Sequence, residues 1–227
     1  RPHLDHRGGT GNMIERRAQA ATIGGGFYNR IERDEWSATI GGGYRNTIQT
    51  NARAATIGGG CRNTIQTNAH FATIPGGYGA AAVNYGQLAY GSGHFESALS
   101  GKEGTAQTSL YVVRNESSAN SVTRTELFLD GEEAQERMKI PQGSTWVFEA
   151  LVVGRSQDTG GPEFPSAKSA GYRIRGLIQN AGGLLFLPTL KLTKEELYES
   201  ETSCDATAEA DDPHDALVIK VTGGSEP

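Results

Sequence analysis

The apolar residues in the first part of the chain recur in a fixed order that belongs to neither a helix nor a long strand. An Ala-Thr-Ile triplet followed by a glycine-rich corner is repeated at a constant step, starting at Ala21, Ala38, Ala55 and Ala72. An Asn-x-Ile phrase keeps the same step, starting at Asn12, Asn29, Asn46 and Asn63. Self-similarity at a fixed step indicates stacked structural units and not one closed core.

Each unit predicts two short strands and two turns. Its apolar runs are β-branched and bounded by glycine and polar residues, and the unit is too short for a pair of helices. Such a unit is one coil of a parallel β-solenoid, which lies about 4.8 Å above the previous coil. Three consecutive glycines provide a tight corner with positive φ. The repeat stacks identical residues on one another in columns. The isoleucine column is Ile23, Ile40, Ile57 and Ile74, and the glycine column is Gly25, Gly42, Gly59 and Gly76.

The repeated asparagines Asn29, Asn46 and Asn63 form a third column. They allow two interpretations. Stacked amides bond to one another in a ladder, as in other in-register β stacks. Alternatively, asparagine is a turn residue that tolerates a left-handed backbone. Neither interpretation gives these residues a chemical role.

The phrases ATIGGGYRNTIQ and ATIGGGCRNTIQ resemble the YadA-like head repeats of trimeric adhesins, in their 17-residue form. Similar repeats occur in phage and phage-like tail-fibre proteins. The resemblance covers roughly residues 12–93, with Ala89 one period after Ala72, and implies a left-handed parallel β-roll in which three chains pack side by side. The chain departs from the repeat at Pro75, which replaces a glycine, and in the charged and aromatic segment Glu32–Trp36.

From about Ser109 the period disappears, and strand candidates separated by turn signals indicate an antiparallel β-sandwich of the jelly-roll kind. These candidates are Leu110–Arg114, Thr123–Leu129, Thr145–Arg155, Tyr172–Gln179, Leu184–Leu192 and Ala216–Thr222. Lys194–Glu199 is either a helical turn or a strand edge. The acidic residues after it predict a solvated loop: Glu201, Asp205, Glu209, Asp211, Asp212 and Asp215. The expected organisation is therefore all-β: 1–11 as a linker or frayed first coil, 12–108 as the solenoid, degenerate after Tyr78, and 109–227 as the sandwich.

Composition favours burial between chains. Hydrophobic residues make up only 36% of the 227 residues, and 31 residues are glycine. Residues 1–108 carry a net charge of +3 and residues 109–227 a net charge of −8. The acidic second half argues against a nucleic-acid partner, because phosphate binding needs clustered positive charge. The sequence contains no run of 18 apolar residues, which is the pattern that would predict a membrane span. Cys61 and Cys204 predict no disulfide; Cys61 stands in the column of Phe27, Tyr44 and Tyr78 as a small apolar filler.

We expect no catalytic, metal or cofactor site. The glycine triplets lack the lysine and helix of a phosphate loop, and the acidic segment lacks the spacing of a calcium loop. His3 and His6 near the N-terminus lack a third ligand, and we expect His70 to be a surface residue. Nucleophile-elbow and zincin motifs are missing, and a narrow coil cannot build the paired-carboxylate groove of a glycosidase.

The sequence predicts a homotrimeric, fibrous attachment protein: a tail fibre of a phage or phage-like injection particle, located on a virion tail or an extracellular surface. Its expected partners are other tail or surface components and a host-surface receptor, with a glycan as one candidate. A bacterial trimeric surface adhesin, a glycan-cutting tailspike and a purely structural connector are the alternatives. Because binding residues gather on loops, we place contact with the receptor in the segment that contains Gln157, Asp158, Glu163 and Phe164.

Overall fold

The computed structural model describes residues 5–6, 8–94, 103–116, 124–131, 135–156, 168–188, 191–200 and 204–223. The chain forms two compact units, Arg1–Val112 and Val113–Pro227. Both are all-β, and the described residues contain no α-helix; one 3-10 turn spans Asp212–His214.

The first unit is a parallel β-solenoid of about five turns, as the repeat predicted. Its strands are β1 Asp5–His6, β2 Met13–Ile14, β3 Thr22–Ile23, β4 Arg30–Ile31, β5 Thr39–Ile40, β6 Thr47–Ile48, β7 Thr56–Ile57, β8 Thr64–Ile65, β9 Thr73–Ile74, β10 Gly77–Tyr78, β11 Ala81–Ala82, β12 Leu88–Ser92 and β13 Gln107–Leu110. One sheet has the order β1-β3-β5-β7-β9-β12-β10, with β13 beside β12, and the other has the order β11-β8-β6-β4-β2. Within each sheet, successive strands from β1 to β9 pair in parallel at the step of the sequence repeat, so that Thr22 lies beside Thr39 and Ile23 beside Ile40.

The core of the solenoid is a set of inward columns. Both isoleucine columns are buried, as are two alanine columns at the turns between the sheets. Small alanines let the chain reverse direction within a narrow coil, while isoleucine fills the space between the two sheets. A single coil therefore buries few side chains, and the stack gains its stability by repetition.

The asparagine column is a ladder, but its bonds run mainly between side chain and backbone. The Asn46 side-chain oxygen accepts the backbone N–H of Asn63 at 3.0 Å. The Asn46 side-chain nitrogen donates to the carbonyls of Gly42 at 2.9 Å and Gly60 at 3.0 Å. Each asparagine thus ties the glycine corner of its own coil to that of the next coil. The left-handed residue is the one before the asparagine, at Arg45 with φ 53°.

The solenoid changes step at its last coil. Leu88 pairs with Thr73, where the full step of the repeat would bring Tyr90 opposite Thr73. The last coil therefore advances by 15 residues and not by 17, so Ala89 does not lie beside Ala72 as the sequence period predicts. Ala89 is fully buried and lies where the earlier coils have isoleucine. Pro75 stands just before this change, and it cannot donate the bond to the next coil that Gly58 donates to Ile74.

The second unit contains two four-stranded antiparallel sheets. Its strands are β14 Thr125–Leu127, β15 Met138–Lys139, β16 Thr145–Arg155, β17 Ser169–Ala181, β18 Leu184–Phe186, β19 Thr193–Glu199, β20 Asp205–Asp211 and β21 Ala216–Thr222. Strand β21 lies centrally between β20 and the pair β14 and β15. Strand β17 lies between β16 and the pair β18 and β19. Buried Asn180 on β17 donates to the Ile140 carbonyl at 2.9 Å and to Asp215 at 3.0 Å, which joins the two sheets at one end.

Several sequence-based expectations for this part of the chain are corrected. Leu110–Arg114 is not one strand, because Leu110 ends β13 and Arg114 forms only an isolated bridge with Phe128. The candidate Leu184–Leu192 is a strand only at Leu184–Phe186 among the described residues. Lys194–Glu199 is part of strand β19, which settles the choice between helix and strand edge.

The acidic segment is a loop only in part. Asp205–Asp211 forms strand β20, Asp212 and Asp215 lie exposed in the turn that follows it, and Glu201 lies outside the described residues. Ala206 and Ala208 face inward on β20, and the acidic side chains point away. Glu209 accepts hydrogen bonds from Lys220 at 2.6 Å and from Arg124 at 3.0 Å, which offsets its charge within the strand.

Candidate functional site

The corner that follows each glycine triplet carries a column of exposed rings. Phe27, Tyr44, Cys61 and Tyr78 are bridged in register, one per coil. The rings remain substantially exposed, at 53% for Phe27, 38% for Tyr44 and 36% for Tyr78. Tyr28, beside Phe27, is 55% exposed. We call Phe27, Tyr28, Tyr44 and Tyr78 the aromatic ridge.

Backbone bonds fix the aromatic ridge in place. The N–H of Tyr44 donates to the Gly60 carbonyl of the next coil at 2.9 Å, and the N–H of Arg45 donates back to the Phe27 carbonyl at 3.0 Å. The same pair of bonds recurs at Cys61 and Arg62. Because each corner is held from both sides, the ridge is a rigid surface at the level of its backbone.

The rings also contact one another and their flanking cations. Tyr28 and Tyr44 meet edge to face, with ring centroids 6.2 Å apart. The Arg45 guanidinium lies over the Tyr44 ring at 5.1 Å. At the end of the ridge, the Tyr78 hydroxyl and His94 Nε2 are 3.1 Å apart. These contacts order the side chains without covering their outer faces.

Charge is divided between the two sides of the solenoid. The corner segments 22–31, 39–48, 56–65 and 73–82 contain no acidic residue. The acidic residues between 8 and 94 are Glu15, Glu32, Asp34 and Glu35. Arg30 forms ion pairs with Glu15 and Glu32. Among the residues that the structure describes, Arg45 and Arg62 have no acidic partner, so the ridge carries two uncompensated cations.

Glu35 is an ionisable group inside the solenoid. It is fully buried; one side-chain oxygen accepts the Ala52 N–H at 2.7 Å, and the other has no partner. Burial raises the pKa of the Glu35 carboxyl to about 7, and the nearby Glu32 and Asp34 add to the shift. The cavity lined by Leu185, Phe186, Glu209 and Asp212 does not include this carboxyl.

The second unit exposes a different kind of surface on the outer side of β16 and β17. Val147 and Val153 are each 84% exposed and Leu151 is 66% exposed, all three pointing to the same side of β16. Between them, Glu149 forms ion pairs with Arg173 at 2.9 Å and Arg175 at 3.3 Å. We call Val147, Leu151 and Val153 the valine face. The charged side chains beside the valine face pair with one another, whereas its aliphatic side chains remain exposed to solvent.

The sequence-predicted residues fall into distinct places. The isoleucines and asparagines of the repeat are buried in the solenoid. The proposed receptor-binding residues, Gln157, Asp158, Glu163 and Phe164, lie outside the described residues, as does His3. His70 is half-buried, and its Nδ1 accepts the Arg53 N–H at 3.2 Å.

The described residues contain no cluster of histidine, cysteine or acidic side chains that could hold a metal ion. The same residues contain no helix long and apolar enough to cross a membrane. Cys61 and Cys204 are not joined in a disulfide.

Neither the aromatic ridge nor the valine face is predicted as a functional site from the sequence. The column of Phe27, Tyr44 and Tyr78 is visible in the repeat, where it indicates apolar filling. The signal that could have identified it is the absence of acidic residues around that column. For the valine face, the signal is that apolar residues occur at both odd and even positions of β16. One side of a strand in a two-layer domain normally faces solvent and is polar, so apolar residues on both sides indicate a contact surface.

Comparisons of the chain with protein-family models, with curated proteins and with solved structures gave no match. The function is therefore inferred from the repeat, the aromatic ridge and the valine face.

Proposed function

We propose that this chain is a non-enzymatic attachment protein that works as a side-by-side homotrimer. In this proposal it is the tail fibre of a phage or phage-like injection particle and binds a host surface. The solenoid acts as a rigid shaft, left-handed as in the repeats that it resembles. The two antiparallel sheets pack face to face as a β-sandwich that caps the shaft or contacts the receptor.

The observation that carries the proposal is the valine face. Large exposed aliphatic patches are uncommon on monomeric proteins and mark interaction surfaces. Three side chains on one side of one strand are more than half exposed in the single chain: Val147, Leu151 and Val153. The neighbouring charges are already paired with one another. A neutral, aliphatic surface of this kind fits a second copy of the chain better than a polar receptor.

A trimer also gives a weak site a function. Three copies of a site on one shaft raise the effective concentration of the second and third contacts, so binding to a cell surface strengthens without a strong single site. The partners in this proposal are two further copies of the chain, other tail components and the receptor. Its location is a virion tail or another extracellular surface.

The test of the assembly is the mass in solution, measured by light scattering on a size-exclusion column. The monomer is 24.1 kDa. We expect a species of about three times that mass that persists on dilution, and the same species should bind whole host cells without releasing reducing ends from their polysaccharide. A concentration-independent monomer would contradict the assembly. Release of reducing ends would favour the glycan-cutting tailspike.

A further inference from the structure

We propose that the aromatic ridge binds an acidic carbohydrate in the notch where Cys61 replaces a ring. This inference deepens the proposed function, on which it rests, by naming the class of receptor and moving the contact onto the shaft. Tyr44 and Tyr78 occupy the same column two coils apart, which places their backbones about 10 Å from each other by the strand spacing. Cys61 stands between them with a much smaller, half-buried side chain.

The notch has the shape and the walls that a sugar ring needs. A pyranose presents an apolar C–H face, which stacks on exposed aromatic rings, and hydroxyl groups at its edge, which bond to polar groups. Tyr44 supplies a ring that the Arg45 guanidinium contacts at 5.1 Å, and Tyr78 supplies a hydroxyl that contacts His94 at 3.1 Å. Rigid aromatic side chains lose little entropy on binding, so a shallow site can still be specific.

Charge indicates that the sugar is acidic. Arg45 and Arg62 follow Tyr44 and Cys61 directly, both are exposed, and neither pairs with an acidic residue of the described part of the chain. Guanidinium groups bind carboxylates through paired, charge-assisted hydrogen bonds. Two arginines on adjacent coils thus fit a carboxylate-bearing sugar between the two tyrosines.

A nucleic acid fits this surface less well. Binding to a phosphate backbone draws on many cations, and log affinity rises with the number of phosphates neutralised. Beside the ridge, the described arginines without an acidic partner are Arg45 and Arg62, and the whole chain has a net charge of −5. We therefore argue for an acidic carbohydrate and include a nucleic acid among the outcomes of the test.

The test is isothermal titration of the 227-residue chain with tetragalacturonate and with oligosialic acid. Maltotetraose is the neutral control and a single-stranded oligonucleotide is the control for nucleic acid. We expect binding of at least one acidic oligosaccharide in the range of about 0.1–1 mM. Arg45→Gln combined with Arg62→Gln should weaken it at least tenfold. Arg33→Gln, the same change at an exposed arginine on the far side of the solenoid, should leave it unchanged.

A second measurement locates the ligand in the notch. In a Cys204→Ser background, alkylation of Cys61 by iodoacetamide should slow at least threefold when the acidic oligosaccharide is present. Cys61→Tyr, which restores a ring to the column, should abolish binding, while Cys61→Ser should retain it.

Several outcomes would overturn the inference. These are no binding of either acidic oligosaccharide at 10 mM (roughly −2.7 kcal/mol), equal binding of maltotetraose, preferred binding of the oligonucleotide, or a Cys61 thiol that the assembled protein hides from iodoacetamide. A trimer that attaches to cells but fails this test would leave the proposed function standing. A monomer that binds the acidic sugar would contradict the trimer and support the carbohydrate site.

Discussion

Glu35 is the residue at which the solenoid departs furthest from its own repeat. The equivalent positions in the other coils are Ala18, Ala52 and Ala69, all fully buried. Glu35 places a carboxyl in that alanine column, with one oxygen bonded to the Ala52 N–H and the other unpaired. An unpaired buried carboxyl is unfavourable mainly in its charged form.

We expect Glu35→Ala to stabilise the solenoid in a pH-dependent way. The folded-state pKa is about 7 against an ordinary value of 4.5, so the folded state holds its proton over a range in which the unfolded state has lost it. The penalty is therefore negligible below pH 4.5, grows as the pH rises and is complete above about pH 7. The shift amounts to roughly 3 kcal/mol at pH 8, and the variant loses the acceptor of the buried Ala52 N–H, which costs about 1 kcal/mol at every pH. The variant should therefore be more stable than the parent by about 2 kcal/mol at pH 8 and slightly less stable at pH 4.

Denaturant unfolding at pH 4, 6 and 8 measures this difference. Glu35→Gln is the matched control: it keeps a similar shape and an acceptor for the Ala52 N–H but cannot ionise, so its own stability should not follow this pH dependence. A gain for Glu35→Ala that is the same at all three pH values would show that the carboxyl does not titrate as described.

Gly43 and Gly42 are neighbours in one triplet with different steric surroundings. Gly43 has φ +92°, and a Cβ there would lie 2.1 Å from the Gly60 carbonyl oxygen. A Cβ on Gly42 would meet nothing closer than 3.9 Å. We expect Gly43→Ala to destabilise the protein by about 3 kcal/mol or more and Gly42→Ala by less than about 1 kcal/mol. Thermal unfolding of the two variants tests this, and equal losses would contradict it.

The sequence reveals which residues stack, but not what each stacked residue touches. Period alone identifies the glycine column, and it points to Gly25, Gly42, Gly59 and Gly76 as the structural members. The steric demand lies on the flanking glycines, such as Gly41 and Gly43, because they face the carbonyls of the next coil. The repeat likewise predicts the asparagines as a column, whereas their backbone partners depend on coil geometry that the period does not contain.

Strand β13 acts as the cap of the solenoid. A parallel stack leaves an open edge of unpaired backbone groups, and such edges need protection. Strand β13 pairs antiparallel with β12. The Gln107 side chain accepts the Ala81 N–H at 2.8 Å and donates to the Ala81 carbonyl at 2.9 Å, as a further coil would do with its backbone.

We expect Gln107→Ala to loosen the last coil alone. The Ala81 N–H loses its acceptor, and the Ala81 carbonyl keeps only the long hydrogen bond from the Gln87 side chain at 3.5 Å, at a cost of about 1–3 kcal/mol. Hydrogen exchange should therefore speed up over residues 79–92 and remain unchanged over 22–65. Gln66→Ala, at an exposed glutamine within the repeat, should change neither region. Uniform loss of protection along the solenoid would mean that the coils unfold as one unit.

Strand β20 shows why composition alone gives a wrong prediction for this element. Asp205–Asp211 is rich in acidic residues, and acidic runs usually lie in solvated loops. The segment nevertheless alternates small inward residues with polar outward ones. Of the cations that pair with Glu209, Lys220 comes from the neighbouring strand β21 and Arg124 lies 85 residues away in the chain. Those partners cannot be assigned from sequence position. The hydrogen bond from Lys220 lowers the pKa of Glu209, so the charged form suits the strand.

At the level of the molecule, the two exposed surfaces suggest a division of labour. The valine face, on the second unit, is aliphatic and internally neutral, which suits contact between identical chains. The aromatic ridge, on the first unit, is aromatic and cationic, which suits an acidic ligand. If assembly and ligand recognition use different surfaces, a substitution can abolish one of these two functions without affecting the other.

We therefore expect Val147→Lys combined with Val153→Lys to separate assembly from recognition. Both side chains are 84% exposed, so lysine fits the folded chain, whereas burying two ammonium groups in a subunit contact is strongly unfavourable. Light scattering should show a 24.1 kDa monomer. Titration with tetragalacturonate or oligosialic acid should give the affinity per chain of the parent protein.

Binding to whole cells should fall by about 100-fold in the same variant, because a monomer loses the gain from effective concentration while its single site is intact. Val112→Lys, at a valine that is 69% exposed on the first unit, is the matched control and should leave both mass and cell binding unchanged. A double variant that still forms the parental oligomer would show that the valine face is not the contact between chains. A monomer with unchanged cell binding would show that attachment does not depend on avidity.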